Sequence, residues 1–194
     1  MSYTRTVEPT EEPVSREELK AHCRVEITED DDLIDALGIA AREKVEIETG
    51  RALCTQTWIL YSNTFPTVST TPIEIHKVPV KTVTIAYTDT NGVAATWLPA
   101  DFQVDITSEP ALILPAYGES YPTARDVYKS VVITIVCGYG AAYDVPVALK
   151  HAIKMLVGTW YEHREQIIIG QAPANIPAPV AYESLIYPYR MWSF

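Results

Sequence analysis

The residues best suited to catalysis or metal binding in this 194-residue chain are few and scattered. Cys23, Cys54 and Cys137 are widely separated and lack the paired C-x-x-C spacing of a zinc site. No H-E-x-x-H motif occurs, and His151 and His163 point in different directions from one predicted helix. We therefore predict no metal site and interpret the cysteines as reduced, partly buried thiols.

Glycine-rich motifs also fail to supply a reactive site. Gly138-Tyr139-Gly140 follows a predicted strand and precedes a helix, but Tyr143 stands where a dinucleotide fingerprint needs its third glycine. The segment around Ser120 lacks the second glycine of a nucleophile elbow, and no Walker A sequence occurs. The sequence thus predicts no catalytic residue and no cofactor, and we expect that the chain is not an enzyme.

An acidic cluster opens the longest predicted helix, which spans residues 28–50, with Thr28 as its N-cap. Its members are Glu29, Asp30, Asp31 and Asp32. A cation site is one interpretation, but the turn glycine and closing glutamate of an EF-hand are missing. Acids in a first turn also complement the positive end of the helix dipole, and we favour that interpretation.

The net charge of −10 argues against a surface that grips nucleic acid phosphates. It is compatible with a protein past which DNA moves without sticking. No apolar run is long enough to cross a bilayer, and the N-terminus lacks the basic and apolar stretches of a signal peptide. We expect no membrane contact and synthesis in a cytoplasm.

Helical and strand patterns follow one another in clear blocks. A capping box at Ser15 and Glu18 starts a short helix, and the helix at 28–50 carries an apolar stripe and ends at Gly50. The stripe consists of Leu33, Ile34, Leu37, Ala40, Ala41 and Val45. Short extended runs between 57 and 137 alternate with turn signals such as Asn91-Gly92. A further amphipathic helix spans 145–166, and its stripe is predicted to face that of the helix at 28–50.

These blocks predict an α+β fold. It has a helical layer of two main amphipathic helices plus a short N-terminal helix, a mainly antiparallel β module between the main helices, and an extended C-terminal tail. The predicted divisions are a flexible arm at 1–14, a single domain at 15–166 with its β module at about 55–137, and a tail at 167–194. That tail contains four prolines and many large apolar residues, so we expect it to cover a surface.

Three separated stretches together resemble one family. The first runs from Ala41 to Trp58 and includes Thr49-Gly50-Arg51; the second joins 137–140 to 145–165; the third is the closing 185–190, LIYPYR. In content and order they resemble the head–tail connector (adaptor) proteins of tailed bacteriophages and gene transfer agents. The arm has no clear counterpart, and Cys137 stands where the family more often has a small residue.

The resemblance implies a structural virion protein, made in the bacterial cytoplasm and located at the neck. Such proteins form a ring, twelvefold in the virion, that binds beneath the portal, extends the DNA channel and docks stopper or tail proteins. DNA passes through without specific binding. The portal-docking candidates are Leu185, Ile186, Tyr187, Tyr189, Arg190, Trp192 and Phe194, and the channel-facing candidates are the four acids at 29–32.

Two alternatives stay open. One is a small α+β ligand-binding or enzymatic domain with an unrecognised site, which a pocket of converging carboxylates with perturbed pKa values would favour. The other is a different neck or tail-completion protein of the same kind of particle.

Overall fold

A computed structural model describes residues 2–163 and 180–191. The chain is a mixed α+β protein, and its described residues divide into two compact units. The β unit comprises mainly Met1–Thr10 and Thr55–Tyr139, and the helical unit comprises Glu11–Cys54 and Gly140–Arg190. Whether they behave in solution as the single domain predicted for 15–166 stays a prediction.

The β unit contains two antiparallel sheets. Its strands are β1 Ser2–Val7, β2 Gln56–Ser62, β3 Ile73–Ile75, β4 Val80–Thr88, β5 Ala94–Trp97, β6 Phe102–Asp105, β7 Ala111–Pro115 and β8 Val131–Cys137. The larger sheet has the order β1-β2-β8-β4-β5, and the smaller has the order β3-β7-β6. Asn91-Gly92 connects β4 to β5 with Gly92 at a φ of 87°, as the hairpin signal predicts.

One face of the larger sheet forms the core of the β unit. The register aligns Leu60 of β2 with Ile133 of β8 and Ile85 of β4, and all three side chains are fully buried. Ile75 and Ile113 of the smaller sheet are also fully buried. An aromatic cluster is part of the same unit, with ring centroids 5.0–5.8 Å apart among Phe65, Tyr87, Trp97, Phe102 and Tyr121.

The flexible arm predicted at 1–14 is wrong for its first half. Ser2–Val7 forms β1, which pairs with β2 from Ser2 opposite Tyr61 to Val7 opposite Thr57. Polar residues form this strand because the edge of β2 offers backbone partners, so pairing does not require an apolar sequence. The Tyr3 hydroxyl also accepts a hydrogen bond from the His76 backbone N–H at 2.9 Å.

Four helices lie in the described part of the helical unit. They are α1 Arg16–Cys23, α2 Asp31–Thr49, α3 Val147–Glu162 and α4 Val180–Ile186. The predicted capping box is present, since Glu18 N–H donates to the Ser15 hydroxyl and Ser15 N–H donates to the Glu18 carboxylate. Helix α2 begins after Asp30 rather than at Thr28, and it ends at Gly50 with a φ of 73°, as predicted.

Helix α2 packs against α3, as the two apolar stripes predict, but its buried stripe differs from the predicted one. Ile34, Ala41 and Val45 are fully buried, whereas Leu37 is half-buried and Ala40 is exposed. The buried side also carries the charged residues Arg42 and Glu46 and the polar Thr49. Hydrophobicity alone placed the stripe about one residue too far round the helix, because it assigned these polar residues to solvent.

Candidate interaction surfaces

The C-terminal segment at 180–190 packs on its own helical unit. Helix α4 contacts α3 and α2, and Tyr182 and Ile186 are fully buried. Of the predicted docking residues, Leu185, Tyr189 and Arg190 are half-buried, and Tyr187 is 57% exposed. Trp192 and Phe194 lie outside the described residues. Ile186 therefore contributes to the core of its own chain, and Tyr187 offers the largest accessible aromatic surface of this segment.

Polar contacts hold the end of this segment in place. Arg51 donates from Nε to the Tyr189 carbonyl oxygen at 2.7 Å, and its guanidinium lies 5.9 Å from the centroid of the Tyr189 ring. Arg190 pairs with Glu48 at 3.3 Å and Glu183 at 2.8 Å. Charge-assisted hydrogen bonds of this kind are stronger than neutral ones, so the segment has a defined position on the helices.

The four acids at the start of α2 divide into two pairs. Asp30 accepts a hydrogen bond from the Tyr161 hydroxyl at 2.5 Å, and Asp31 pairs with Lys20 at 2.5 Å. Glu29 and Asp32 are exposed. The structure thus gives the inner two acids a local structural role, and Glu29 and Asp32 present their charge to solvent.

A groove of about 600 Å³ lies within the helical unit. Its apolar lining includes Val14, Leu19, Gly38 and Ile39. Tyr143 also lines the groove, and its side chain is 82% exposed. Two carboxyl groups in its wall have lowered pKa values: a hydrogen bond from Lys154 lowers that of Glu18, and one from Arg16 lowers that of Asp35. Both are held ionised, whereas a general acid at neutral pH needs a raised pKa.

Within residues 2–163 and 180–191, no three metal-binding side chains come together. The three cysteines are free thiols, and burial raises the pKa of Cys54 to about 12, which disfavours its reactive thiolate. In the same part of the chain, no helix combines the length and hydrophobicity needed to span a bilayer.

The second face of the five-stranded sheet is accessible to solvent, and its paired positions in β1, β2, β8, β4 and β5 carry no charged side chain. Lys81, exposed at the register shift between Val80 and Thr82, lies at its edge and donates to the Thr55 hydroxyl at 3.2 Å. We call this second face the open sheet face. It consists of Ser2, Thr4, Thr57, Ile59, Tyr61, Val132, Thr134, Val136, Thr82, Thr84, Ala86 and Thr96. Charged residues make up 21% of the whole chain, so such a face of threonine and apolar side chains is unusual for a surface in contact with water only.

The side of helix α2 opposite its buried stripe carries both apolar and acidic residues. We call it the outer face of α2, and it consists of Asp32, Ala36, Ile39, Ala40, Glu43 and Ile47. Ile47 is 78% exposed and Ile39 is 42% exposed. Glu43 lies four residues from each of these isoleucines and separates them on the helix surface.

Sequence reasoning missed both faces. Threonines at alternate positions 82 and 84, and valines at 132 and 136, were the available signals, but only strand register shows that they share one face. Ala40 was placed in the buried stripe, so the remaining apolar residues of α2 did not stand out.

No protein-family model matches this chain, and no curated protein matches it. Several solved structures, however, match its fold. The fold is similar to a chain in the virion of a native gene transfer agent (GTA) particle and to a chain in the neck of an empty GTA particle computed with C6 symmetry, each with a TM-score of 0.80. A chain in the neck of a native GTA particle computed with C12 symmetry matches with a TM-score of 0.71. Each is 20% identical in sequence, and each match covers 100% of this chain and 97% of the other.

Proposed function

We propose that this protein is a structural component of a virion neck, a head–tail connector (adaptor). Its copies form a ring, twelvefold in the particle, that binds beneath the portal, extends the DNA channel and joins the head to stopper or tail proteins. The observation that carries the proposal is the similarity of fold over the whole chain to neck chains of GTA particles.

Several features of the chain support a scaffold rather than a catalyst. The carboxyl groups with shifted pKa in the helical groove are paired with Arg16 and Lys154, and the accessible surface includes the open sheet face. Faces of this kind are typical of proteins that work in assemblies. No observation favours the enzymatic alternative over this role.

The portal contact is assigned to the end of the chain, with Tyr187 as the exposed anchor among the described candidates. Aromatic residues and arginine are enriched at the centres of protein interfaces. Leu185, Tyr189 and Arg190 support that anchor from half-buried positions, and Ile186 holds the segment on the helical unit. Trp192 and Phe194 extend the proposed docking sequence.

The test is electron microscopy and pull-down of the protein with its portal. Deleting 185–194 would also remove the buried Ile186, so a cleaner variant combines Tyr187→Ala with truncation after Arg190. We expect this variant to stay folded and to lose portal binding. Tyr143→Ala, which removes another exposed tyrosine of the same unit, is the matched control. Normal portal binding by the truncated variant would contradict the docking assignment.

We assign the acids at the start of α2 to the wall of the DNA channel because of their charge. Glu29 and Asp32 are the exposed acids that would face DNA, and like charge would keep phosphates from sticking. Asp30 and Asp31 contribute to the same negative field from their paired positions. We expect the isolated protein not to retain duplex DNA at moderate salt, measured by gel shift. Tight binding of duplex DNA under those conditions would rule out a channel lined by these acids.

A further inference from the structure

Two of the stretches that carry the family resemblance, Thr49-Gly50-Arg51 and the closing 185–190, meet in the folded helical unit. Arg51 and Tyr189 are 138 positions apart in the sequence, yet the Arg51 Nε donates a hydrogen bond to the Tyr189 carbonyl oxygen at 2.7 Å. The Arg51 guanidinium also lies 5.9 Å from the centroid of the Tyr189 ring. We call residues 48–51 the α2 corner, and this corner holds the end of the proposed docking segment.

We propose, on the premise of the portal-docking assignment above, that the α2 corner positions the docking segment. Arg51 and Glu48 hold the turn at Tyr187–Tyr189 against the helical unit, so that Tyr187 is presented to the portal in a preformed orientation. Arg51 is 8% exposed and acts through the segment rather than by touching the portal. A conformation that is populated before the partner arrives raises the apparent affinity, because less ordering remains to be done on binding.

The α2 corner has the local structure needed to direct Arg51. Gly50 has a φ of 73°, in the left-handed region that glycine enters without a Cβ clash. The Thr49 hydroxyl donates to the Val45 carbonyl oxygen at 2.7 Å and accepts from the Arg51 N–H at 3.3 Å. These contacts fix the backbone from which the Arg51 side chain extends, so the Thr-Gly-Arg sequence constrains the direction of that side chain.

The turn that carries Tyr187 is defined at both ends. Residues Tyr187–Tyr189 form a single 3₁₀ turn, and the Arg190 N–H donates to the Tyr187 carbonyl oxygen at 3.3 Å. On one side of the turn Ile186 is fully buried, and on the other side Arg51 holds the last carbonyl oxygen of the turn. The Tyr187 side chain, which is 57% exposed, therefore lies between two fixed points.

Charge strengthens both contacts of the α2 corner with the segment. Arg51 donates to a carbonyl oxygen from a cationic group, and Glu48 pairs with Arg190 at 3.3 Å. Hydrogen bonds with one or two charged partners are stronger than neutral ones. If the segment had to leave its own unit before docking, the same contacts would oppose portal binding. The sign of the change in portal affinity when they are removed therefore tests the proposal.

The first test removes the guanidinium of Arg51 from the full-length protein. We expect folded Arg51→Met to bind the portal with a dissociation constant about tenfold higher than that of wild type. Arg42→Met is the matched control, because Arg42 is a second buried arginine of the same unit and pairs with Glu12 and Glu46. Unchanged or tighter portal binding by Arg51→Met would overturn the proposal. An equal loss in Arg42→Met would overturn it too, since the loss would then follow stability rather than position.

Hydrogen exchange of the free protein gives a readout that needs no portal. The Arg190 amide donates to the Tyr187 carbonyl oxygen and so reports on the turn itself. We expect this amide to exchange about tenfold faster in Arg51→Met than in wild type. The Val25 amide, which donates to the Lys20 carbonyl oxygen at the end of α1, should keep its rate. Equal exchange of the Arg190 amide in the two proteins would overturn the proposal, because Arg51 would not be holding the turn.

A second pair of variants addresses Glu48 and leaves the buried arginines intact. Glu48→Gln removes the ion pair with Arg190, and we expect a dissociation constant for the portal that is about two- to fivefold higher. Lys44→Met is the matched control, since Lys44 pairs with the same carboxylate at 2.5 Å and its loss leaves the pair with Arg190 in place. If Arg51→Met does not fold, this comparison decides, and wild-type affinity of Glu48→Gln would overturn the proposal.

The outcomes for positioning and for docking are separable. Normal portal binding by Arg51→Met, together with loss of binding by Tyr187→Ala truncated after Arg190, would keep the docking assignment and remove only the positioning role. If the wild type itself does not bind the portal, the docking assignment fails. Exchange of the Arg190 amide then decides alone whether the α2 corner holds the turn.

Discussion

The cores of the two units are built on different principles. In the β unit, the buried residues are mainly isoleucine, valine and aromatic side chains, and the buried polar residues, Gln56 and Ser130, carry no charge. In the helical unit, Arg42, Glu46 and Arg51 are buried together with apolar residues. One core is held by apolar packing, and the other also depends on matched charges.

The charges of the helical core form a connected network. Arg42 donates from Nη1 to Glu46 at 2.9 Å and from Nε to Glu12 at 2.8 Å, and Leu53 N–H donates to the second oxygen of Glu46 at 2.9 Å. The network joins the segment before α1, helix α2 and the chain after Gly50. Such networks specify one arrangement, because any other leaves a buried charge unpaired.

The largest effect is expected in the helical core from a new, unpaired charge. Ile153→Asp places a carboxylate at a site that is 1% exposed, and we expect it to unfold the helical unit, measured by circular dichroism. Leu37→Asp is the comparison, because Leu37 is half-buried and its carboxylate can reach water. Equal melting temperatures of the two variants would contradict the burial pattern assigned to α2 and α3.

Breaking the existing charge network should cost somewhat less. Arg42→Met removes the guanidinium that pairs with the buried Glu46 at 2.9 Å, and we expect a loss of about 3–5 kcal/mol in the free energy of unfolding. Adding Glu46→Gln removes the buried negative charge and keeps an acceptor for the Leu53 N–H, so the double variant should recover most of the loss in urea denaturation. Failure of that recovery would show that packing, not charge, dominates at Arg42.

A conservative change in the β core should have a smaller effect. Ile133→Val removes one methylene from a fully buried site, and we expect a loss of about 0.5–1.5 kcal/mol. The loss should be the same at pH 5 and pH 8, since no ionisable group is altered. A loss that varied between those two values would contradict the view that this core depends on apolar packing.

The smallest effect is expected at the surface of the helical unit. The Glu18–Lys154 pair, at 2.9 Å, should contribute about 0.2–1 kcal/mol, measured with Lys154→Met. Because the hydrogen bond from Lys154 lowers the pKa of Glu18 from 4.5, this contribution is present above pH 4.5 and is lost as the pH falls through the lowered value. A difference between wild type and Lys154→Met that persisted below that range would contradict the assignment.

Local signals along the chain were sufficient for several elements. The capping box at Ser15, the left-handed Gly50 and the Asn91-Gly92 hairpin each depend on residues within a few positions of one another, and each is present. The α+β class follows from the same local patterns, because helix and strand periodicities differ and lie in separate blocks.

Contacts between distant segments decided the remainder. Strand β1 forms because β2, more than fifty residues away, provides its backbone partners. Arg42 and Glu46 are buried because Glu12 and Leu53 meet them there, and no pattern within α2 reveals those partners. The open sheet face exists only once the strand register is set, since a shift of one residue would exchange it with the buried face. The sequence by itself therefore determined most of the elements and the ends that local caps and turns mark. The tertiary structure decided whether β1 forms, which polar residues are buried and which faces remain for a partner.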